Sequence, residues 1–359
     1  MTCFYDKLVF ARRKLFIGGV IMNKHLDTMS AAVLHRFGGP DELILQEVDQ
    51  PKIGPEDVLI GVAYAGIGEW DAFERQGGYA EMLNMNPVFP YILGSEGSGI
   101  VIARGENVSN VDLGDQVYAP AFLNPNGGFY AEYAAVNAKY VSRIPDGLTM
   151  LEAAVISGVG ITALRGLEDL LQLRQGESIL IFGASGGVGH IAVQLAKAMG
   201  ARVFAVASGE DGVAMMEELG CDAIVNGKYW DISSMARKFA PSGFDAAMFT
   251  AGGEAANAAV NYLRKGGRLV YPHGIHPELR LPAGLRASGY NGEPDPEIIA
   301  RLQRYISQYS LTVHIDHIFA LKDANKAHEA LQKHYVGKIC LKVKEPDLVL
   351  HGLTDSQSG

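Results

Sequence analysis

The chain has 359 residues, long for one domain and comfortable for two. Its 48% hydrophobic and 20% charged content is that of an ordinary soluble globular protein. A formal net charge of -9 argues against a nucleic-acid or anionic-membrane surface, which would need clustered Lys and Arg. Cys3, Cys221 and Cys340 are odd in number, far apart and form no C-x-x-C pair. That usage suits a reducing cytosol, so a cytoplasmic location is expected, and it excludes a structural four-cysteine zinc site.

The opening "ARRKLFIGGVIM" places basic residues before an apolar run too short to span a bilayer, and no clear cleavage site follows. Residues 1–28 therefore read as an extension outside the core fold. From Met29, "MSAAVLHRFGGPDEL" reads as an alternating strand and a Gly-Gly-Pro turn. Short β-rich runs follow, "DVLIGVAYAGI", "SGIVIARG" and "DQVYAPAF", separated by Gly and Pro; their spacing predicts a β-barrel-like domain. "DGLTMLEAAVISGVGITALRGL" reads as a helix with a glycine-rich break.

Strands and helices then alternate. "SILIFG" is a continuous apolar run suited to a strand buried on both faces. "GHIAVQLAKAMG" carries Ile191, Leu195 and Met199 at four-residue spacing, an amphipathic helix closed by Gly200. "ARVFAVA", helix "GVAMMEELG", "CDAIVN", "FDAAMFTAGG", helix "EAANAAVNYLRKG" and "GRLVYPHG" continue the pattern. Such alternation implies a parallel sheet with helices on both faces. Helix "PDPEIIARLQRYISQYS", a strand, helix "LKDANKAHEALQKH" and strand "KICLKV" follow, and the tail after Pro346 carries little signal.

The strongest motif is "GASGGVG", Gly183 to Gly189, between a buried strand and an amphipathic helix. Read as [G/A]-x-G-x-x-G it uses Ala184, Gly186 and Gly189. Only residues with little or no side chain allow the tight turn, the close approach of backbone to a pyrophosphate and the helix–strand packing. The phosphates then meet the positive end of the helix. The second strand ends in Ala207 and Ser208, with no carboxylate at its tip to hold a ribose 2′-hydroxyl. NADPH is therefore expected, with NADH as the alternative because Glu210 and Asp211 follow at once.

"GPDELILQEVDQPKIGPEDVLIGVAYAGIGEWD", "PYILGSEGSGIV", "LGDQVYAP", "GGFYAEYAAV", "PDGLTMLEAAV", "GASGGVG" with "QLAKAMGA", and "AHEALQKHYVGKI" together carry a resemblance. From about Met29 to Val343 the chain resembles the medium-chain dehydrogenase/reductases, in their zinc-free quinone oxidoreductase branch. The resemblance implies a GroES-like β-barrel catalytic domain at 29–150, completed by 291–345, and a Rossmann doubly wound parallel-sheet cofactor domain at 151–290. A tail at 346–359 would follow. It implies an active site in the cleft between the domains, a small-molecule substrate, and a homodimer or homotetramer.

Carried over by position, Thr162 would approach the nicotinamide end, and Ser185, Gly186, Gly187 and Val188 would cradle the pyrophosphate. Ser208 would meet the adenosine ribose or its phosphate. Ala251, Gly252, Tyr271 and Gly274 would line the nicotinamide half. Zinc-dependent relatives carry Cys where this chain has Gly68 and His where it has Ser95, and they add a four-cysteine lobe that is absent here. A catalytic zinc needs about three protein ligands, so no metal is expected. Glu96 reads as a buried or domain-bridging carboxylate, and His273, His276, His314 and His317 as scattered residues. The Asn and Tyr common in quinone reductases are replaced by Gly68, Glu69 and Trp70 in "GIGEWD".

Without zinc, interconverting a simple alcohol and its carbonyl would need a Tyr–Lys or His relay, for which no motif is present. A quinone or an α,β-unsaturated carbonyl spreads the incoming negative charge by conjugation and needs less help. Trp70, able to cover a flat acceptor, and Tyr130, a potential proton donor, are the candidate catalytic residues. Two other readings compete: an enoyl-thioester reductase, and a non-catalytic NADPH-binding redox sensor.

Overall fold

The computed structural model describes residues 28–229 and 231–344. The expected extension, apart from Thr28, and the expected tail lie outside the described residues. The first lobe contains Thr28–Leu34 (β1), Ile44–Asp49 (β2), Asp57–Ile67 (β3), Tyr91–Ile92 (β4), Glu96–Arg104 (β5), Gln116–Pro120 (β6), Tyr133–Asn137 (β7) and Ser142–Arg143 (β8). Two short helices, Glu69–Arg75 (α1) and Gly78–Met82 (α2), lie between β3 and β4. β1 pairs with β2 and β4 in a small antiparallel sheet. β3 is the central strand of the larger sheet and pairs antiparallel with both β5 and β7. Its "DVLIGVAYAGI" turns Val58, Ile60 and Val62 inward, the two-residue period that buries one face.

Met150–Leu164 (α3) carries the chain into the second lobe. Thr149 and Glu152 cap it reciprocally: the Thr149 hydroxyl accepts from Glu152 N at 3.2 Å, and Glu152 Oε2 accepts from Thr149 N at 2.8 Å. The expected glycine-rich break is not there. α3 runs unbroken through Gly158 and Gly160, then widens into a π-helical turn at Arg165–Leu170. The glycines serve close packing instead: a β-carbon on Gly160 would lie 2.8 Å from Leu302. α3 packs on β3, β5 and β6 and also on the first helix of the next lobe. Met150–Leu170 is, among the described residues, the one helix long and apolar enough to cross a membrane, and it is mostly buried inside the fold as a core helix.

The second lobe alternates Ser178–Phe182 (β9), Gly187–Ala198 (α4), Arg202–Ala207 (β10), Gly209–Glu218 (α5), Ala223–Asn226 (β11), Ile232–Phe239 (α6), Phe244–Phe249 (β12), Glu254–Ala259 (α7), Leu263–Pro272 (β13) and Arg286–Tyr290 (β14). The strands are parallel in the order β11-β10-β9-β12-β13-β14. This is the doubly wound Rossmann arrangement, with its strand order reversing beside β9. α6 and β14 were not legible in sequence. The helix expected through Lys265 ends at Ala259 because Leu263 already pairs with Phe244 across the sheet. Pro296–Tyr309 (α8), Ile315–Ala320 (β15), Ala324–Ala330 (α9) and Lys338–Lys342 (β16) return the chain to the barrel, where β16 adds antiparallel to β3.

Candidate active site

The glycine loop sits between β9 and α4 and is built by backbone crowding. A β-carbon on Gly189 would lie 2.1 Å from Gly183 O, so only glycine lets the helix start that close to the strand. Gly183 has φ +80°, the left-handed region. Gly186 is the N-cap of α4 and no side chain caps it, so the first N–H groups of a 12-residue helix are free to meet an anion. Gly187, Val188 and Gly189 form the first turn, while Ala184 and Ser185 are buried beneath it. These features fit a dinucleotide pyrophosphate.

The loops that follow β12 and β13 close over the same end of the sheet. Thr250 Oγ1 donates to Gly183 O at 3.0 Å, which sets Ala251 beside the glycine loop. A β-carbon on Gly252 would lie 1.7 Å from Pro277 O, so Gly252 and the turn carrying Gly274 are in backbone contact. Tyr271 is partly buried near the end of β13. Ala251, Gly252, Tyr271 and Gly274 thus gather at the strand ends beside the loop. Thr162 is buried on α3, its hydroxyl donating to Gly158 O at 2.8 Å and the chain at Gly292 packed against it.

At the tip of β10, Ser208 N donates to Ser185 Oγ at 3.1 Å and ties the second strand to the loop. The two neighbouring carboxylates are already engaged. Glu210 accepts from Asn226 Nδ2 at 3.0 Å, and Asp211 accepts from His334 Nε2 at 2.9 Å.

Trp70 lies in the first lobe, in the first turn of α1. Its indole covers Gly68, where a β-carbon would meet the ring at 2.5 Å, and it approaches α3, where a β-carbon on Gly158 would lie 3.3 Å away. Under the ring is an ion pair that sequence reading did not find. Lys338 Nζ lies 4.4 Å from a Trp70 ring centroid and 2.8 Å from Glu96 Oε1, and it donates to Ile67 O at 2.9 Å. Glu96 Oε2 accepts from Gly158 N at 2.7 Å and Ser157 Oγ at 3.1 Å. Glu96 is therefore the bridge between β5 and α3. Lys338 was hidden in sequence because its partners are 242 to 271 positions away; the only cue was a lysine opening the strand "KICLK".

Beside Glu96, Asp71 is fully buried: Oδ2 accepts from Gly68 N at 2.8 Å, and Oδ1 accepts from Ser95 N and Oγ at 3.1 and 3.0 Å. Burial raises its pKa to about 6, against the lowering pull of these hydrogen bonds and of Lys338. Glu74, one turn further along α1, is raised to about 7 by burial and by Asp71, although it accepts from Tyr91 OH at 2.5 Å.

Tyr130 takes a different place from the one its sequence context suggested. Its side chain is fully buried, and its hydroxyl is 3.1 Å from His328 Nε2. Arg75 can only donate, so His328 Nδ1, 3.0 Å away, accepts and Nε2–H donates to Tyr130. Burial and the Arg75 charge hold His328 neutral, with its pKa near 3. Tyr130 is a wall of the barrel core and presents no surface to a substrate. Of the four scattered histidines, His273 bonds Asn291, His317 bonds Asp316 and His314 N approaches His190 Nε2. Among the described residues no three His, Cys, Asp or Glu side chains gather as a metal-binding group.

A parallel sheet with a glycine loop at its switch point, joined through α3 to a GroES-like barrel, is the arrangement of a nicotinamide-dependent oxidoreductase. The chain belongs to the medium-chain dehydrogenase/reductase family. Residues 54–146 match the alcohol dehydrogenase GroES-like domain and residues 187–281 the zinc-binding dehydrogenase domain. An alcohol dehydrogenase from Geobacillus stearothermophilus is 33% identical over 289 residues, 74% of this chain and 82% of its own. The quinone oxidoreductase of Sus scrofa is 31% identical over 313 residues, 84% of this chain and 93% of its own. The solved quinone oxidoreductase from Coxiella burnetii superposes with a TM-score of 0.77 at 30% identity, covering 88% of this chain and all of its own.

Proposed function

We propose that the chain is a zinc-independent oxidoreductase that passes hydride from NADPH to a quinone or an α,β-unsaturated carbonyl. The observation that carries this reading is the Trp70 indole lying over Gly68. It fills the space that a metal-ligating side chain at that position would need, and the cation behind it, Lys338, is committed to Glu96. Zinc lowers the pKa of a bound oxygen from about 16 to about 7, roughly 12 kcal/mol of anion stabilisation. Without it, an acceptor that delocalises its own developing charge is the chemically accessible class.

When bound, the nicotinamide supplies hydride. The chain's own residues do the rest. The N-terminus of α4 and the backbone of Ser185 to Gly189 hold the phosphates, and Trp70 offers a flat apolar face to a planar acceptor. The accompanying proton comes from solvent water, since Tyr130 is sealed in the core. The NADPH preference is supported at Ser208: Glu210 and Asp211 are occupied by Asn226 and His334, which leaves no unengaged carboxylate at the tip of β10 to hold a ribose 2′-hydroxyl.

On this reading 29–150 with 291–345 form the catalytic domain and 151–290 the cofactor domain, in a cytoplasmic enzyme. Among the described residues β14 is an edge strand of its sheet, and that edge offers the surface for a homodimer or homotetramer. The test is substrate class. NADPH absorbance should decay with a benzoquinone or a simple enone, and no alcohol should be oxidised with NADP+. Alcohol oxidation without quinone or enone turnover would sink the proposal.

A further inference from the structure

Residues 337 and 338 join the glycine loop to the surroundings of Trp70 within two consecutive positions. Gly337 N donates to Ser185 O, in the loop itself, at 2.8 Å. Gly337 has φ +68°, and a β-carbon there would lie 2.3 Å from His314 O, so glycine is required for the chain to pass. The stem of Lys338 then crosses the start of α4: a β-carbon on Gly187 would lie 3.1 Å from Lys338 Cδ. Its ammonium ends between Glu96, Ile67 O and the Trp70 ring. Glu96 in turn is fastened to α3 through Ser157 and Gly158.

An ammonium buried this deeply is tolerable only with its partners in place, because an isolated buried charge is strongly unfavourable. It donates a hydrogen bond to the Ile67 carbonyl, pairs by charge with Glu96 and faces the Trp70 ring, surroundings suited to a compact ammonium rather than a planar guanidinium. Glu96 and Lys338 therefore move together or not at all. A shift of Ser185 or Gly187 as phosphates settle on the loop reaches the Lys338 ammonium through one peptide unit and one side chain.

We propose that Lys338 is a positioning residue that couples occupancy of the glycine loop to the setting of Trp70, so that the acceptor face is completed by cofactor binding. This rests on the reading that the loop holds NADP(H). The coupling has a readout independent of turnover, because Trp70 and Trp230 are the only tryptophans. In a Trp230→Phe background Trp70 is the sole indole. NADP+ serves as the probe, since it does not absorb at the emission wavelength of tryptophan.

NADP+ binding, followed by calorimetry, should change Trp70 emission. In Lys338→Met the nucleotide should still bind while the emission change disappears. The same variant should lose about 100-fold in kcat/KM for a quinone, as displaced positioning groups do, mostly through KM. Should Lys338→Met fail to give a cooperative melt, Glu96→Gln carries the same test, for it keeps the shape and removes the charge. An unchanged emission response in either folded variant overturns the proposal. So does a wild type that binds NADP+ with Trp70 silent, which leaves the cofactor reading intact. A wild type that binds no NADP+ overturns the cofactor reading and the coupling with it.

Discussion

At position 68 an ideal β-carbon would lie 2.5 Å from the ring carbons of Trp70, so any side chain there must expel the indole. Gly68→Cys should therefore destabilise the fold by about 1–3 kcal/mol, the usual cost of overpacking, and should not create zinc-dependent activity by itself. Urea unfolding and a zinc titration of the variant check both halves. Glu74 gives a second residue-scale prediction. Its pKa rises from 4.5 to about 7 on folding, so the native state keeps a proton that the unfolded chain has released. Stability is then lost as pH climbs through that window. Glu74→Gln has no proton to lose; it should match the wild type near pH 4 and exceed it by on the order of 3 kcal/mol at pH 8. Paired denaturant titrations at the two pH values measure the gap. The glycines of the loop were legible in sequence because the steric demand on them is local. Lys338 and the Asp71–Ser95 pair were not, because their partners lie far along the chain, and Tyr130 misled because a residue type does not show which way the side chain faces.

α3 is the element on which both lobes converge, and its glycines show how composition misleads at this scale. In isolation a helix gains about 1 kcal/mol when an interior glycine becomes alanine. At position 160 the added methyl would press on Leu302, itself buried, at 2.8 Å. Gly160→Ala is therefore expected to destabilise by about 1 kcal/mol net, because overpacking outweighs propensity. A lower denaturant midpoint is the expected result, and a higher one would place the methyl in free space. The strands β9, β10 and β12 were legible as apolar runs buried on both faces. β14, "RASGY", hides because glycine and serine dilute its pattern, and α6, "ISSMARKF", because two serines open a helix of only eight residues.

For the whole molecule, a lysine–glutamate pair buried in the barrel sheet is fastened to α3 through Glu96, next to Ser95. The parallel sheet and the barrel were both readable from the period of the apolar residues. The strand that completes the barrel sheet was not placed by that period, since β16 returns to pair with β3 after 270 intervening positions. The central claim is metal-free hydride transfer to a conjugated acceptor. The most direct measurement uses the full chain stripped with a chelator, NADPH deuterated at the transferring C4 position, and a simple enone. Turnover unchanged by chelation, with deuterium recovered at the β-carbon of the product, is the predicted result. Turnover abolished by the chelator and restored by zinc would contradict it.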